Sequence, residues 1–381
     1  MTNKNRSMSK GEKNMKLFLA MLMSLCLGLV SVSATALVNV FLIAKQTVVT
    51  LPDGSGGSVD IPMWGFAEDV GGACFATTPI TARQTSPACL NPVATVPGPR
   101  LDVGVDTELT ISLTNMLIDE PVSIVIPGQK MPFSALNDNG PTWTDGTRGP
   151  AAGGGAGLRR VRSFGREADV NGGQIVYQWT NLTNTSFAAG SYIYHSGTHP
   201  QVQVQMGLYG AATGNAGLGL AYPGIAFNNE VILFYSEIDP VLHTAVASGV
   251  YGTTLTSTID YAPQYFLING KPFTDKASAN VATGLTVGQA SLLRMFNMGL
   301  ENHGPVLQNL RMNLVAEDGR PYPYARNQYS AMLAAGKTKD AIISPSVAGT
   351  FAVYDGQLGL SNGGALMGGM LSYVEVGAAV P

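Results

Sequence analysis

Short runs of alternating apolar and polar residues, separated by glycine and proline turns, recur along most of the chain. In Glu108–Asn115, Leu109, Ile111 and Leu113 alternate with threonine and serine, which is the period of a strand with one buried face. A helix is predicted only at Gln328–Ala335. Many short strands without a helix after each one favour antiparallel β-sandwiches over a parallel α/β sheet. The same pattern predicts further strands at Val38–Val49, Val122–Ile126, Gln174–Trp179, Ser191–His195, Glu230–Glu237, Gln264–Ile268, Ser291–Met298, Leu310–Glu317, Gly349–Tyr354 and Leu371–Val376.

The predicted strands fall into two halves. A stretch rich in glycine and alanine separates them and has the composition of a linker. We therefore predict a first domain over residues 37–216, a linker over 217–227 and a second domain over 228–381.

The first 36 residues have the order of a secretory signal peptide. Five basic residues between positions 4 and 16 precede the apolar run Leu17–Val30, and small residues follow up to Ala34–Ala36. This order predicts cleavage near Ala36 and export to the periplasm or the cell exterior. A second apolar patch, Leu37–Ala44, leaves an uncleaved membrane anchor as the alternative.

Charge and composition narrow the classes of function. Charged residues make up 12% of the chain, about half of the usual share. Loss of residues 1–36 leaves 17 Lys and Arg against 24 Asp and Glu, a net charge of −7. An acidic exported chain is a poor partner for nucleic acid. Protein partners or self-association remain open, and membrane contact is expected only if the leader is retained.

Two cysteines, Cys74 and Cys89, remain after the leader is removed. Two cysteines close in sequence in an exported chain predict a disulfide. In the chain-entropy account, closing so short a loop stabilises the fold by about 3 kcal/mol. A thiolate metal site is the alternative, although no histidine lies near either cysteine in the sequence.

Four segments resemble those of a known family, the multicopper oxidases. They are PGPRLDVGVDTELTISLTN at 97–115, GSYIYHSGTHPQVQVQMGLYGA at 190–211, YFLINGKPF at 265–273 and LVAEDGRPY at 314–322. They fall in the family's order, and the resemblance covers roughly residues 45–378. It implies an all-β chain of two Greek-key, cupredoxin-like (plastocyanin-like) β-sandwich domains after the leader. Alternation of buried and exposed positions is what such sandwiches require.

The same resemblance implies copper ligands that this chain lacks. The family holds a three-copper cluster with four His-x-His pairs, and a blue copper with cysteine and histidine. Val125 and Pro127 stand where the first pair belongs, and His195 keeps one member of the second pair while Gly197 replaces the other. No His-Cys-His segment occurs, and the chain has only four histidines. We therefore expect no oxidase chemistry of the usual four-electron type.

His195, His199 and Met206 are the remaining candidate metal ligands. Imidazole and thioether groups suit copper, so one interpretation of these residues is a mononuclear copper site in a carrier or an electron-transfer protein. Structural roles are the alternative: a hydrogen-bonded loop histidine, a turn before Pro200, and a core methionine. Three hypotheses result. They are a binding or structural module without copper, a protein that binds a single copper ion, and an oxidase (an oxidoreductase) whose missing ligands come from another subunit.

Overall fold

The structure is a computed structural model, and it describes most of the chain after the predicted leader. The described residues are 37–105, 107–131, 141–143, 161–180, 186–253, 258–274, 280–365 and 368–379. The predicted signal peptide lies outside them.

The first set of strands builds two main sheets. β1, β2, β4 and β9 form a four-stranded sheet in the order β2-β1-β4-β9, and β10, β11 and β3 form a three-stranded sheet in that order. The bounds are β1 Leu37–Pro52, β2 Ser58–Glu68, β3 Gly98–Gly104, β4 Glu108–Asn115, β5 Val122–Ser123, β6 Thr142–Trp143, β7 Val161–Ser163, β8 Glu167–Ala168, β9 Gly173–Trp179, β10 Gly190–His195 and β11 Tyr209–Gly214.

The second set repeats this plan with additional edge strands. A six-stranded sheet has the order β15-β14-β17-β21-β19-β20, and a four-stranded sheet has the order β16-β23-β22-β18. The bounds are β12 Leu220–Tyr222, β13 Ile225–Ala226, β14 Asn229–Ile238, β15 Tyr265–Ile268, β16 Asn280–Thr286, β17 Ser291–Asn297, β18 Pro305–Leu307, β19 Met312–Glu317, β20 Arg320–Gln328, β21 Thr338–Ile343, β22 Gly349–Asp355 and β23 Leu371–Gly377.

Strand pairing shows that the two sets share one topology. β1 runs parallel to β4, as β14 does to β17, and β3 runs parallel to β11, as β16 does to β23. The neighbours β2 and β15 pair antiparallel with β1 and β14. All eleven strand predictions coincide with observed strands or overlap them. The all-β prediction is therefore confirmed.

Two apolar clusters fill the sandwiches. Ile111 and Trp179 are fully buried in the first cluster, and Leu293 and Met295 are fully buried in the second. The apolar positions of β4 thus face a core, as their alternation predicts. β4 is nevertheless buried along nearly its whole length, because its other face is also covered.

One asparagine at the end of a central strand secures each sandwich. The Asn115 side chain at the end of β4 donates to the carbonyls of Glu120 (2.8 Å) and Ala168 (3.2 Å). Asn297, at the matching end of β17, donates in the same way to the carbonyl of Leu333 (3.1 Å). Both amides are fully buried, so each ties the end of its strand to a segment distant in the sequence.

The predicted helix at Gln328–Ala335 is wrong. The segment is extended, and Leu333 exchanges backbone hydrogen bonds with His303 (2.8 and 2.9 Å). Ala331 and Leu333 are buried while Met332 between them is exposed. Pairing with a distant segment therefore outweighs the helical propensity of the alanines and leucine.

The longest described helix, α4 (Pro240–Ala247), was not predicted. It follows Asp239, whose side chain accepts hydrogen bonds from the Val241 and Leu242 amides, and a proline occupies its first turn. These are standard helix-start signals. No described helix is long and apolar enough to cross a membrane. The shorter helices are α1 Ile80–Arg83, α2 Pro87–Leu90 and α3 Pro200–Gln203, with 3₁₀ turns at Val70–Gly72 and Thr258–Asp260.

The predicted disulfide is present in the structure. Cys74 and Cys89 are bonded at 2.03 Å and both are fully buried. They lie in a small cluster with Ile43 and Ala67, which belong to β1 and β2. The bridge therefore closes the helical connection between β2 and β3 on itself, and the buried cysteines pack this connection against the first sheet.

A buried arginine joins the two sets of strands. Arg294 on β17 is fully buried and reaches Glu230 (2.6 Å) and the Ser191 hydroxyl on β10 (2.9 Å). Ser191 also donates to Asp340 on β21 (2.5 Å), and Arg100 on β3 pairs with Glu230. This network fixes the orientation of β10, whose end carries the candidate site.

Candidate functional site

The end of β10 lies beside the segment that follows β5. Val125 and His195 exchange two backbone hydrogen bonds of 2.9 and 3.0 Å. This pairing brings together the two stretches in which the family resemblance implies copper ligands.

Val125 and Gly197 pack against each other at this point. A Cβ atom added to Gly197 would lie 2.8 Å from Val125 Cγ1 and 3.0 Å from the Ser123 hydroxyl. The first distance is closer than real Cβ contacts allow, so a side chain at position 197 requires neighbouring atoms to move. A valine methyl group therefore occupies the space between the two positions.

A cluster of buried hydroxyl groups surrounds the same point. The Thr198 hydroxyl lies 3.0 Å from the hydroxyls of Ser123 and Ser163 and 3.0 Å from a Glu167 carboxylate oxygen. All four residues are at least nine-tenths buried, and Arg162 pairs with Glu167 at 2.5 Å. The cluster satisfies its own polar groups and holds the turn after β10 in place.

His195 lies at the edge of a cavity of about 260 Å³. Its Nδ1 atom lies 2.8 Å from the Ser196 carbonyl oxygen, which assigns the proton to Nδ1. Burial lowers the pKa of His195, so the ring is neutral at pH 7. Tyr192, Met298 and Lys337 line the same cavity.

His199 lines a different and larger cavity of about 790 Å³. Its Nδ1 atom lies 2.8 Å from Glu120 Oε2, and this hydrogen bond raises the pKa of His199. The residue has a left-handed backbone (φ 37°) and directly precedes α3. The turn, rather than the strand, therefore sets the direction of this imidazole.

Met206 has a third environment. It is fully buried and packs in an apolar cluster with Val202 and Leu242. Its carbonyl accepts a hydrogen bond from the Trp64 amide (2.7 Å), which ties it to β2. The two histidines thus line separate cavities, and the methionine lies in an apolar core. A mononuclear copper site at these residues stays a prediction. In the described part of the chain, no group of three or more His, Cys, Asp or Glu side chains is arranged to hold a metal ion.

The larger cavity is an open groove with three walls. β1 and β2 supply one wall, the end of α4 and the residues after it supply the second, and the loop before β5 and α3 supply the third. Its residues include two aromatic side chains and two carboxylates: Trp64, Tyr251, Asp119 and Glu120. We call this cavity the acidic groove.

A buried charged cluster in the second sandwich was not predicted from the sequence. The His303 ring lies between Glu237 Oε2 (3.0 Å from Nε2) and Asp355 Oδ2 (3.2 Å from Nδ1). All three side chains are almost completely buried. Burial opposes the imidazolium, but the hydrogen bonds to the two carboxylates outweigh it and raise the pKa of His303 to about 9. The partners are 66 and 52 positions away in the sequence, so no local pattern signals them.

His243 on α4 is the opposite case. It is fully buried, and its Nδ1 atom lies 2.9 Å from the Pro62 carbonyl oxygen. Burial lowers the pKa of His243 to about 4. This histidine therefore fixes α4 to β2 as a neutral ring.

Comparison with known proteins identifies the fold. No protein-family model and no curated protein matches the chain. Among solved structures, it is similar to the blue copper oxidase from Nitrosomonas europaea (16% identity, TM-score 0.62, covering 90% of this chain and 86% of that one). It is also similar to a multi-copper oxidase from Pseudomonas thermotolerans (18%, TM-score 0.57, covering 91% and 65%) and to the copper nitrite reductase from Nitrosomonas europaea (15%, TM-score 0.53, covering 90% and 94%).

These similarities define the class of fold to which the chain belongs. The chain is an all-β protein built of cupredoxin-like sandwiches. More specifically, its fold is multicopper-oxidase-like, as the sequence motifs predict. Identities of 15–18% support this statement about the fold and no statement about activity.

Proposed function

We propose that this chain is an exported, multicopper-oxidase-like protein that acts as a binding or structural module and holds neither the blue-copper nor the trinuclear site. The packing of Val125 against Gly197 carries the proposal. Valine, proline and glycine side chains offer no donor atom to copper. An imidazole at position 197 would also collide with the Val125 side chain, since even a Cβ there lies 2.8 Å from Cγ1.

The hydroxyl cluster around Thr198 supports the same conclusion. Copper prefers imidazole, thiolate and thioether ligands, whereas this cluster offers neutral hydroxyls and one carboxylate already paired with Arg162. The residues present therefore do not fit a trinuclear copper centre.

The two other hypotheses have weaker support. A single copper held by His195, His199 and Met206 would require side chains that line separate cavities or a core to converge. An oxidase completed by another subunit would still lack donors at positions 125 and 127.

Export is supported by the order of residues in the leader and by the disulfide. Disulfides persist in oxidising compartments, and the Cys74–Cys89 bridge suits such a location. Mass spectrometry of the N-terminus after cell fractionation tests this part: a chain beginning near Leu37 outside the cytoplasm is expected. A full-length chain in the cytoplasm would contradict it.

Copper content tests the central claim. The mature protein is incubated with Cu(I) and with Cu(II), desalted, and measured by elemental analysis beside the double variant His195→Ala, His199→Ala. We expect retained copper far below one per chain, equal in both proteins.

Two outcomes would replace the proposal. About one copper per chain, lost in the double variant, would favour the carrier hypothesis, since imidazoles would then be the ligands. Several coppers per chain would show that donors exist which the sequence motifs do not reveal.

A further inference from the structure

We infer that the acidic groove binds an organic cation, an ammonium group on an apolar or aromatic body. This inference rests on the proposed role as a binding module and names the chemistry of its ligand. It does not involve positions 125, 127, 195 and 197, where the family resemblance implies copper ligands, although His199, a candidate ligand for a single copper, lines the groove.

The groove has the size and the walls of a small-molecule site. Its volume of about 790 Å³ lies within the range of roughly 300–1,000 Å³ that is usual for ligand pockets. Gln46, Thr47 and Val48 on β1 pair with Trp64, Met63 and Pro62 on β2, and all six line one wall. Since these strands are hydrogen-bonded in register, this wall is preformed.

Charge in the groove favours a cation. Asp119 and Glu120 line it, and none of the described residues that line it is Lys or Arg. Arg162 on β7 is near enough to interact with Glu120, but its guanidinium is paired with Glu167 (2.5 Å). His199 is the remaining titratable cation there, and its hydrogen bond to Glu120 Oε2 offsets part of that one carboxylate's charge. Asp119 is exposed, so its carboxylate is accessible to a ligand.

The carboxylate of Glu120 is held in a fixed geometry. The Glu120 carboxylate accepts from the His199 ring (2.8 Å) and from the Gln203 side-chain amide (3.3 Å). Gln203 is itself fully buried and also donates to the Pro121 carbonyl (2.9 Å). Glu120 therefore needs little reorganisation to receive a cation, which favours binding.

Aromatic faces complete the complementarity. Trp64 on β2 and Tyr251 after α4 are both half-buried and line the groove. Aromatic rings attract ammonium groups through their quadrupoles, most strongly in tryptophan. Val48, Val202 and Val246 supply apolar contact for the rest of such a ligand.

A pair of probes that differ only in charge tests the inference. 4-(Trimethylammonio)phenol carries a quaternary nitrogen where 4-tert-butylphenol carries carbon, and the two have nearly the same shape. Isothermal titration calorimetry on the mature protein should show binding of the cation about tenfold tighter than binding of the neutral compound. Added salt should weaken binding of the cation more than that of the neutral compound.

Substitutions locate the site. Asp119→Asn changes an exposed side chain without changing its size, and it should weaken cation binding about three- to tenfold while leaving the neutral probe unchanged. Glu375→Gln, an exposed acid on β23 outside the groove, is the matched control and should have no effect. Trp64→Phe should weaken cation binding, with its fold checked by circular dichroism.

Three outcomes would overturn the inference: equal affinity for the two probes, no binding of either, or a cation preference that Glu375→Gln reduces as much as Asp119→Asn. Copper content is measured separately. A protein that retains no copper and does not bind the cation would therefore refute this inference without contradicting the proposed function.

Discussion

Two buried histidines with opposite pKa shifts should give the protein a stability maximum near neutral pH. His303 between Glu237 and Asp355 has a pKa raised from 6.5 to about 9, and burial lowers the pKa of His243 from 6.5 to about 4. Each shift is a difference in proton affinity between the folded and unfolded chain, so each makes the free energy of unfolding depend on pH.

The direction of each effect follows from which state holds the proton. Between pH 6.5 and about 9 the folded chain keeps a proton on His303 that the unfolded chain has lost, so stability falls as pH rises. Between pH 6.5 and about 4, His243 gains a proton in the unfolded chain but not in the folded chain. Stability therefore falls again as pH drops.

The size of the two pKa shifts sets how much the free energy of unfolding changes with pH. One pKa unit corresponds to about 1.4 kcal/mol, so each histidine should change the free energy of unfolding by about 3 kcal/mol over its range. That is a large share of the roughly 5–15 kcal/mol typical of a domain. Replacing His303 would also leave two buried carboxylates without their cation, which costs about 3–5 kcal/mol at neutral pH.

Urea unfolding across the pH range provides the assay. The wild type should lose stability on both sides of neutrality. His303→Gln should lose most of the alkaline slope, and His243→Asn should lose most of the acid slope while it keeps the alkaline one. The remaining slopes come from His199 and His195, whose pKa values are shifted in the same two directions. An alkaline slope of equal size in wild type and His303→Gln would refute the assignment of a protonated His303 between its two carboxylates.

Three further predictions concern packing and covalent structure. Gly197→Ala should lower the free energy of unfolding by about 1–3 kcal/mol, because the new Cβ meets Val125 Cγ1 at 2.8 Å; adding Val125→Ala should restore most of the loss, and a double variant no better than the single one would contradict this in urea unfolding. Asn115→Ala should cost about 1–3 kcal/mol, because it removes the donor to the carbonyls of Glu120 and Ala168; an unchanged thermal midpoint would count against that role. Cys74→Ala with Cys89→Ala should cost about 3 kcal/mol, and intact protein should resist reduction until it is denatured, since both sulfurs are buried; rapid reduction of the native protein would contradict this.

Several strands could not be predicted because their composition differs from the usual strand pattern. β2 contains Pro62 and lies at a sheet edge, as does β20 with Pro321 and Pro323. Proline in a sequence argues against a central strand, but it is tolerated on an edge strand. β11, with its glycines and alanines, has little β-propensity of its own. These strands form because neighbouring strands offer hydrogen-bonding partners.

The sequence by itself determined the all-β class, the four family-like segments, the disulfide and the absence of donor side chains at positions 125, 127 and 197. Each of these depends on residue type and on local periodicity, which are properties of the chain before it folds. The tertiary structure alone decided that Val125 meets Gly197, that His195 and His199 open on different cavities, and that His303 lies between two carboxylates. These contacts join residues far apart in sequence, and their energies depend on burial and distance, which alternation along one strand does not encode.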